Sequence, residues 1–288
     1  MIGRHEVGNG RCFIIGEVGL AHDGSLALAH AFVDAIAQAG ADAVKFQLHT
    51  LAEPNRPLRT RSWQYETRHD QWKRTAFTPE QWAILHDHAC NAGLEFLCSP
   101  FSVEAVKFLD HLVPAWKIPS GEITNDLLLK AVARTGKLVL LSTGMGTTDE
   151  IDRALDMIDE YASPESATYT VLMHATSAYP CPPERIGLNQ FGDWVGQAAE
   201  GLSDHSGTIY PGLAAVTLGC DVLEVHVKLS EWDQGPDASS SLTPEKLKQL
   251  VEGVRFIETM KANPVDKDQM ARELQPMREL FMRQSVGI

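Results

Sequence analysis

Short apolar runs alternate with amphipathic stretches along nearly the whole chain. Residues 12–16 (CFIIG) make a dense run of strand length. Residues 25–39 then place Leu26, Ala29, Phe32, Val33 and Ile36 on one helical face, with Gly40 as the stop. The alternation continues as strand 43–47, helix 79–91, strand 94–98, helix 103–111, strand 115–118, helix 125–134 and strand 138–141. Helix 148–161, strand 169–173, a weakly periodic helical stretch over 189–199 and strand 201–203 follow. Helix 211–218, strand 222–227 and helix 243–260 complete the series. Strands separated by helices predict parallel pairing through right-handed crossovers. Eight such units predict an α/β fold closed as a (β/α)8 TIM barrel, a single domain over residues 1–262, with 263–288 as a helical extension. No GxGxxG follows the first strand, which disfavours a dinucleotide-binding sheet. Residues 50–77 interrupt the alternation and carry Arg56, Arg59, Arg61, Arg68 and Arg74 beside Trp63, Tyr65 and Trp72. A loop of that length is either functional or a solvated excursion.

Composition narrows the class. Hydrophobic content of 44% against 22% charged residues suits a folded globular chain rather than a disordered one. A net charge of −13 argues against coating a nucleic acid but leaves room for one locally positive anion site. Five cysteines with no CxxC pair suit a reducing compartment. No apolar run reaches the roughly 18 residues of a membrane helix, so a cytoplasmic location away from membranes is expected.

Polar residues gather where each strand ends. The strands lead into Glu17, His22 and Asp23; Lys45 and Gln47; Ser99; Lys117 and Ser120; Ser142 and Thr143; His174, Thr176, Ser177 and Tyr179; Ser203, Asp204 and His205; and Glu224 and His226. In barrel enzymes that face carries the active site. Lys45 lies between Val44 and Phe46, and Lys117 between Trp116 and Ile118. A buried lysine needs a partner. Two readings follow: the lysines hold a phosphate and a carboxylate together with nearby serines, or each pairs with a strand-end acid such as Glu17 or Glu122.

His205 and His226 end adjacent strands, so their imidazoles can converge on one divalent metal, with Glu17, Glu224 and Asp237 as candidate third ligands or bases. Hydrogen-bonded core histidines are the alternative. STGMGTTDE carries a helix-start signal, with Thr147 or Thr148 as cap and Glu150 closing a capping box. Backbone N–H groups at such a start can also hold phosphate.

The segments FIIGEVGLAHDG, AGADAVKFQ, EFLCSPFS, WKIPSGEITN, LVLLSTGMGT, HATSAYPCPPE, GLSDHSG, LEVHVKL and GPDASSSLTPEKL occur in this order. Together they resemble the catalytic barrel of the sialic acid synthases, the N-acetylneuraminate, legionaminate and pseudaminate synthases. The resemblance implies condensation of phosphoenolpyruvate with the aldehyde of an N-acylated amino sugar, using a divalent metal (Mn, Mg or Co). It implies metal ligands at His205 and His226, and phosphoenolpyruvate contacts at Lys45, Ser99, Lys117, Ser120, Ser142 and Ser203. Sugar contacts fall on Glu17, Gln47, Tyr179 and Asp237, with catalytic roles for Glu17, Asp237 and His226.

Two residues depart from the family pattern. HDG stands at 22–24 where HNG is usual, and Ser177 replaces an Asn, keeping one hydrogen bond at shorter reach. Family members continue into a small antifreeze-like domain that donates an Arg to the partner subunit's sugar site in a swapped dimer. The final run LFMRQSVGI stands where that domain would begin, which leaves a homodimer open and makes the Arg-rich 50–77 segment a candidate substitute. Two further readings are a metal-dependent pyruvate aldolase and a non-catalytic ligand-binding or assembly protein. Retention of Glu17, Lys45, Lys117, His205 and His226 weighs against the second.

Overall fold

The computed structural model describes residues 1–50, 67–162, 169–192 and 199–282. Eight strands form the frame: β1 (Phe13–Gly19), β2 (Ala43–Leu48), β3 (Glu95–Pro100), β4 (Ala115–Ile118), β5 (Leu138–Ser142), β6 (Thr170–Ala175), β7 (Glu200–Asp204) and β8 (Val222–Val227). Parallel ladders join them in the order β3-β2-β1-β8-β7-β6-β5-β4. The result is the nearly closed (β/α)8 barrel that the periodicity predicts. A two-residue β9 (Ser241–Leu242) pairs with the end of β8.

The strands are buried except at some of their end residues because each is covered twice, by helices outside and by side chains within. The outer layer packs Ile14, Val44, Phe46 and Phe96 against helical residues such as Phe32, Ile36 and Leu85. The inner layer holds Phe13, Ile15, Ala43, Leu97, Ala115, Leu138, Leu140, Val171, Met173 and Val222, joined by Ile2 from the N-terminus. Asp42 ties the helix over Pro244–Ala262 to the first strand: it accepts from Ile14 N–H at 2.9 Å and from Arg255 Nη2 at 2.8 Å.

Helix boundaries follow their capping chemistry. In α1 (Leu26–Ala39), the Ser25 hydroxyl accepts from Leu28 N–H, and Gly40 stops the helix in the left-handed region. α2 (Arg68–Thr75) and α3 (Pro79–Asn91) each open on a threonine capping box. α4 (Val103–Leu109) and α5 (Asp126–Ala133) start from Ser102 and Asn125. In α6 (Thr148–Tyr161), Thr147 caps and Glu150 closes the box. α7 (Tyr210–Leu218) and α8 (Pro244–Ala262) complete the covering layer.

The sixth crossover departs from expectation. No α-helix starts at 189; 3-10 turns at Pro183–Arg185 and Leu188–Gln190 stand there instead, and residues 193–198 lie outside the described residues. Gly187 and Gly192 adopt positive φ on either side of the second turn, which ends helical geometry there. The 50–77 interruption contains α2, with Trp72 buried, whereas Arg56, Arg59, Arg61, Trp63 and Tyr65 lie outside the described residues. The C-terminal stretch holds two short helices rather than one, α9 (Lys267–Glu273) and α10 (Gln275–Phe281), because Pro276 can sit in a first turn but not in a helix interior. No helix among the described residues is long and apolar enough to cross a membrane.

In the loop after β1, His22 is fully buried and stacks on Phe77 at 4.5 Å. Its Nδ1 accepts from Gly24 N–H at 3.2 Å, which leaves the proton on Nε2. Burial drives this imidazole from 6.5 down to about 4. The unfolded chain therefore binds a proton that the folded chain refuses between these values. His22's neutral burial is without penalty above pH 6.5, and stability falls by about 3 kcal/mol as pH drops to 4. The His22→Phe variant should lose that slope in denaturant titrations across the window. A slope equal to wild type would mean that the ring titrates normally.

Candidate active site

Alternate residues of a strand face one way, so the inner apolar layer dictates what stands above it. One step further along each strand, the next inward position is Glu17, Lys45, Ser99, Lys117, Ser142, Ser203 or Glu224, and all seven are buried. The polar floor of the barrel's C-terminal mouth is thus a direct continuation of its core.

Two lysines and two glutamates lock this floor together. Lys45 Nζ lies 2.7 Å from Glu17 Oε2 and 3.8 Å from Glu224 Oε1, and donates to Ser99 Oγ at 3.1 Å. Lys117 Nζ donates to Glu224 Oε1 at 3.2 Å and to Ser203 Oγ at 3.1 Å. Pairing with strand-end acids is therefore present, but the partner of Lys117 is Glu224, across the barrel, rather than Glu122. Glu122 sits in the 3-10 turn beyond β4 and accepts from Asn125 Nδ2 at 2.7 Å.

The two lysines respond differently to the same burial. For Lys45 burial pulls the ammonium down, but the charges of Glu17 and Glu224 outweigh it and its pKa rises. For Lys117 burial dominates the attraction of Glu224, and its pKa falls. Burial opposes ionisation of Glu224, yet Lys117 and Lys45 hold it well below the usual carboxylate range.

Beside this quartet lies a hydroxyl cluster. Ser120 Oγ donates to Ser142 Oγ at 3.1 Å and accepts from Gly144 N–H at 3.1 Å. A Cβ at Gly144 would stand 2.8 Å from Ser177 Oγ and 3.0 Å from Ser120 Oγ, so only glycine lets these serines converge. A cavity of about 480 Å³, lined by Thr143, Gly144, Thr148, Thr176 and Gln190 among others, adjoins the cluster but does not reach the lysines or imidazoles.

The imidazoles of His205 and His226 meet 5.4 Å apart at the ends of β7 and β8. His205 Nδ1 donates to Thr176 O at 3.1 Å, so Nε2 presents its lone pair, and it accepts from the Tyr179 hydroxyl at 3.0 Å. Burial and then His226 lower His205 to about 3, which keeps it in the neutral form a metal requires. His226 Nδ1 lies 3.9 Å from Asp237 Oδ2. Two imidazoles at this spacing, with His205 neutral and its Nε2 lone pair presented, fit a divalent cation with open positions for oxygen ligands. Among the described residues, no group of three His, Cys, Asp or Glu comes close enough to hold a metal, so the expected third protein ligand does not materialise in Glu17, Glu224 or Asp237.

Glu17, Lys45, Ser99, Lys117, Ser142, Ser203 and Glu224 occupy inward positions at one mouth, with His205, His226 and Tyr179 in mutual contact; His174 instead packs on Phe191 and lies 3.6 Å from Glu200 at the start of β7, and Arg56, Arg59, Arg61, Trp63 and Tyr65 lie outside the described residues. The cross-barrel role of Glu224 and the part played by His49 beside Gln47 were not legible from spacing, although His49 extends the inward series 43, 45, 47 by one step. Removing the charge of Glu224 leaves two buried ammonium groups facing one carboxylate. The Glu224→Gln variant should be destabilised by about 3 kcal/mol. Inorganic phosphate should raise its melting temperature more than that of the wild type. Equal gains for both proteins would contradict this charge balance.

Comparison with known proteins identifies the family. The chain is 34% identical to the N,N'-diacetyllegionaminic acid synthase of Legionella pneumophila, over 94% of this chain and 79% of the relative. It is 32% identical to the N-acetylneuraminate-9-phosphate synthase of Homo sapiens, over 91% of this chain and 74% of that one. Its fold superposes with a TM-score of 0.82 on an N-acetylneuraminic acid (sialic acid) synthetase from Leptospira borgpetersenii in complex with citrate. That match has 26% identity and covers 99% of this chain and 97% of the other. Residues 32–266 match the NeuB family. The chain belongs to the NeuB family of sialic-acid-synthase-type enzymes.

Proposed function

We propose that this enzyme condenses phosphoenolpyruvate with the open-chain aldehyde of an N-acylated hexosamine of the N-acetylmannosamine type, giving a nine-carbon 2-keto sugar acid and phosphate. The observation that carries the reading is the buried Lys45–Glu17–Glu224–Lys117 quartet together with the His205–His226 imidazole pair at the strand ends. The names of the relatives, legionaminic acid and neuraminate-phosphate synthases, support the product class.

Lys45 and Lys117 bind the phosphate and carboxylate of phosphoenolpyruvate, assisted by Ser99, Ser120, Ser142, Ser177 and Ser203. Each ammonium turns from its glutamate toward the arriving anion, so the two positive charges the anion meets are already desolvated. Glu17, Gln47, Tyr179 and Asp237 contact the sugar and orient its aldehyde. C3 of the enol attacks the aldehyde carbon, and the aldehyde oxygen takes up a proton to become a hydroxyl. Water adds to the C2 oxocarbenium and loses a proton. The C2–O bond to phosphate then breaks, which leaves the 2-keto group and free phosphate. His205 and His226 would hold a divalent cation (Mn, Mg or Co), which supplies Lewis-acid polarisation of the aldehyde oxygen when bound.

Phosphate release should require phosphoenolpyruvate, an N-acylhexosamine and the divalent cation together, and a chelator should stop it. The panel should include free and 6-phosphorylated sugars. His226→Ala should lose turnover while keeping its melting temperature. Condensation with pyruvate, or a lysine adduct trapped by borohydride, would replace this reading with an aldolase.

A further inference from the structure

We infer that His49 is a positioning residue that fixes the side-chain amide of Gln47, and through it Glu17, and couples both to helix α2. What Glu17 does for the sugar rests on the function proposed above; how Glu17 is held does not.

The imidazole of His49 is clamped between two rings. Trp72 of α2 stacks on it at 4.8 Å with planes 7° apart, and Phe101 covers it at 3.8 Å and 27°. The ring edge is thereby aimed, and Nε2 lies 3.2 Å from Gln47 Oε1. An amide carbonyl only accepts, so Nε2–H is the donor. That bond decides which end of the Gln47 amide faces inward: Nε2 donates to Glu17 Oε1 at 2.8 Å. Rotating the amide by half a turn would bring its oxygen against the buried carboxylate, two acceptors face to face. Glu17 is consequently held at both oxygens, since Oε2 pairs with Lys45 at 2.7 Å.

The backbone leaves room for this contact. Gly19 adopts φ +57°, and a Cβ there would stand 3.1 Å from Gln47 Nε2 and 3.3 Å from Glu17 Oε1. At its far end the relay is anchored by α2. Arg74 pairs with Asp23, and a Cβ at Gly24 would collide with the Arg74 carbonyl oxygen. Asp23, the residue where the chain departs from HNG, itself has φ 52°, so the β1–α1 loop and α2 are built against each other. A shift of α2 reaches Glu17 through Trp72, His49 and Gln47.

Two variants separate the hydrogen bond from the stack. His49→Phe keeps a ring between Trp72 and Phe101 but cannot donate, and His49→Gln restores an N–H at similar reach. With phosphate release as the assay, His49→Phe should lower kcat/KM for the acylhexosamine about 10-fold, leave KM for phosphoenolpyruvate unchanged and recover in His49→Gln. In a Gln47→Ala background His49→Phe should cost nothing more. An activity-independent readout is the Gln47 side-chain amide pair in 15N–1H spectra. It should shift and exchange faster in His49→Phe and return toward wild type in His49→Gln. Unchanged Gln47 amide signals in His49→Phe would overturn the inference whatever the assay reads. So would equal losses in both variants with both KM values moved, the mark of a purely structural residue. A wild type that releases no phosphate would refute the proposed reaction, while the amide signals would still decide the role of His49.

Discussion

Two ammonium groups inside a barrel must be neutralised, and that requirement organises the mouth of this one. An unpaired charge at full burial costs several kcal/mol, so Lys45 and Lys117 can exist there only with Glu17 and Glu224. The four residues come from β2, β4, β1 and β8: the Lys45–Glu17 pair joins adjacent strands, whereas the Lys117–Glu224 pair crosses the cylinder. They also fix register. Sliding any of these strands by one residue would turn its charge out among the helix-facing side chains and push an apolar residue into the mouth. The inner apolar layer and the charged floor specify the same alignment, from below and from above.

The quartet is balanced in charge but not in strength. Lys45 has the nearer carboxylate, Glu17, and a second one within 4 Å; Lys117 relies on Glu224, which Lys45 also faces. Burial therefore wins at Lys117 and loses at Lys45. Ser99 and Ser203 each accept from one lysine and complete the coordination of the two ammonium groups.

Much of this was legible in the sequence because a barrel strand translates period two into geometry. Val44 and Phe46 flanking Lys45, and Trp116 and Ile118 flanking Lys117, already mark inward polar positions on strands buried from both sides. Caps were equally readable: Thr147 with Glu150, and Ser25 with Gly40, bound their helices as their chemistry requires. What spacing could not supply was contact across the barrel. Glu122 is near Lys117 in sequence, yet Glu224 is near it in space, since the carboxylate of β8 points inward and that of the turn does not. The periodicity over 189–199 is weak and Gly192 interrupts it with a positive φ, and His49 was hidden because its role depends on two rings brought in from α2 and from the end of β3.

Charge balance also bears on the proposed reaction. The quartet sums to zero, and His205, held near pKa 3, adds no positive charge at neutral pH. Phosphoenolpyruvate carries close to three negative charges, and the chain as a whole is at −13. Rotating the lysines onto the substrate frees Glu17 and Glu224 without changing the total, so the described mouth alone would be left strongly negative. An imidazole pair would answer this need better than additional lysines could. With His205 neutral before binding, the pair would bring in two positive charges with a divalent cation as the anion arrives. On this reading a divalent cation would serve electroneutrality in a buried site as well as carbonyl chemistry.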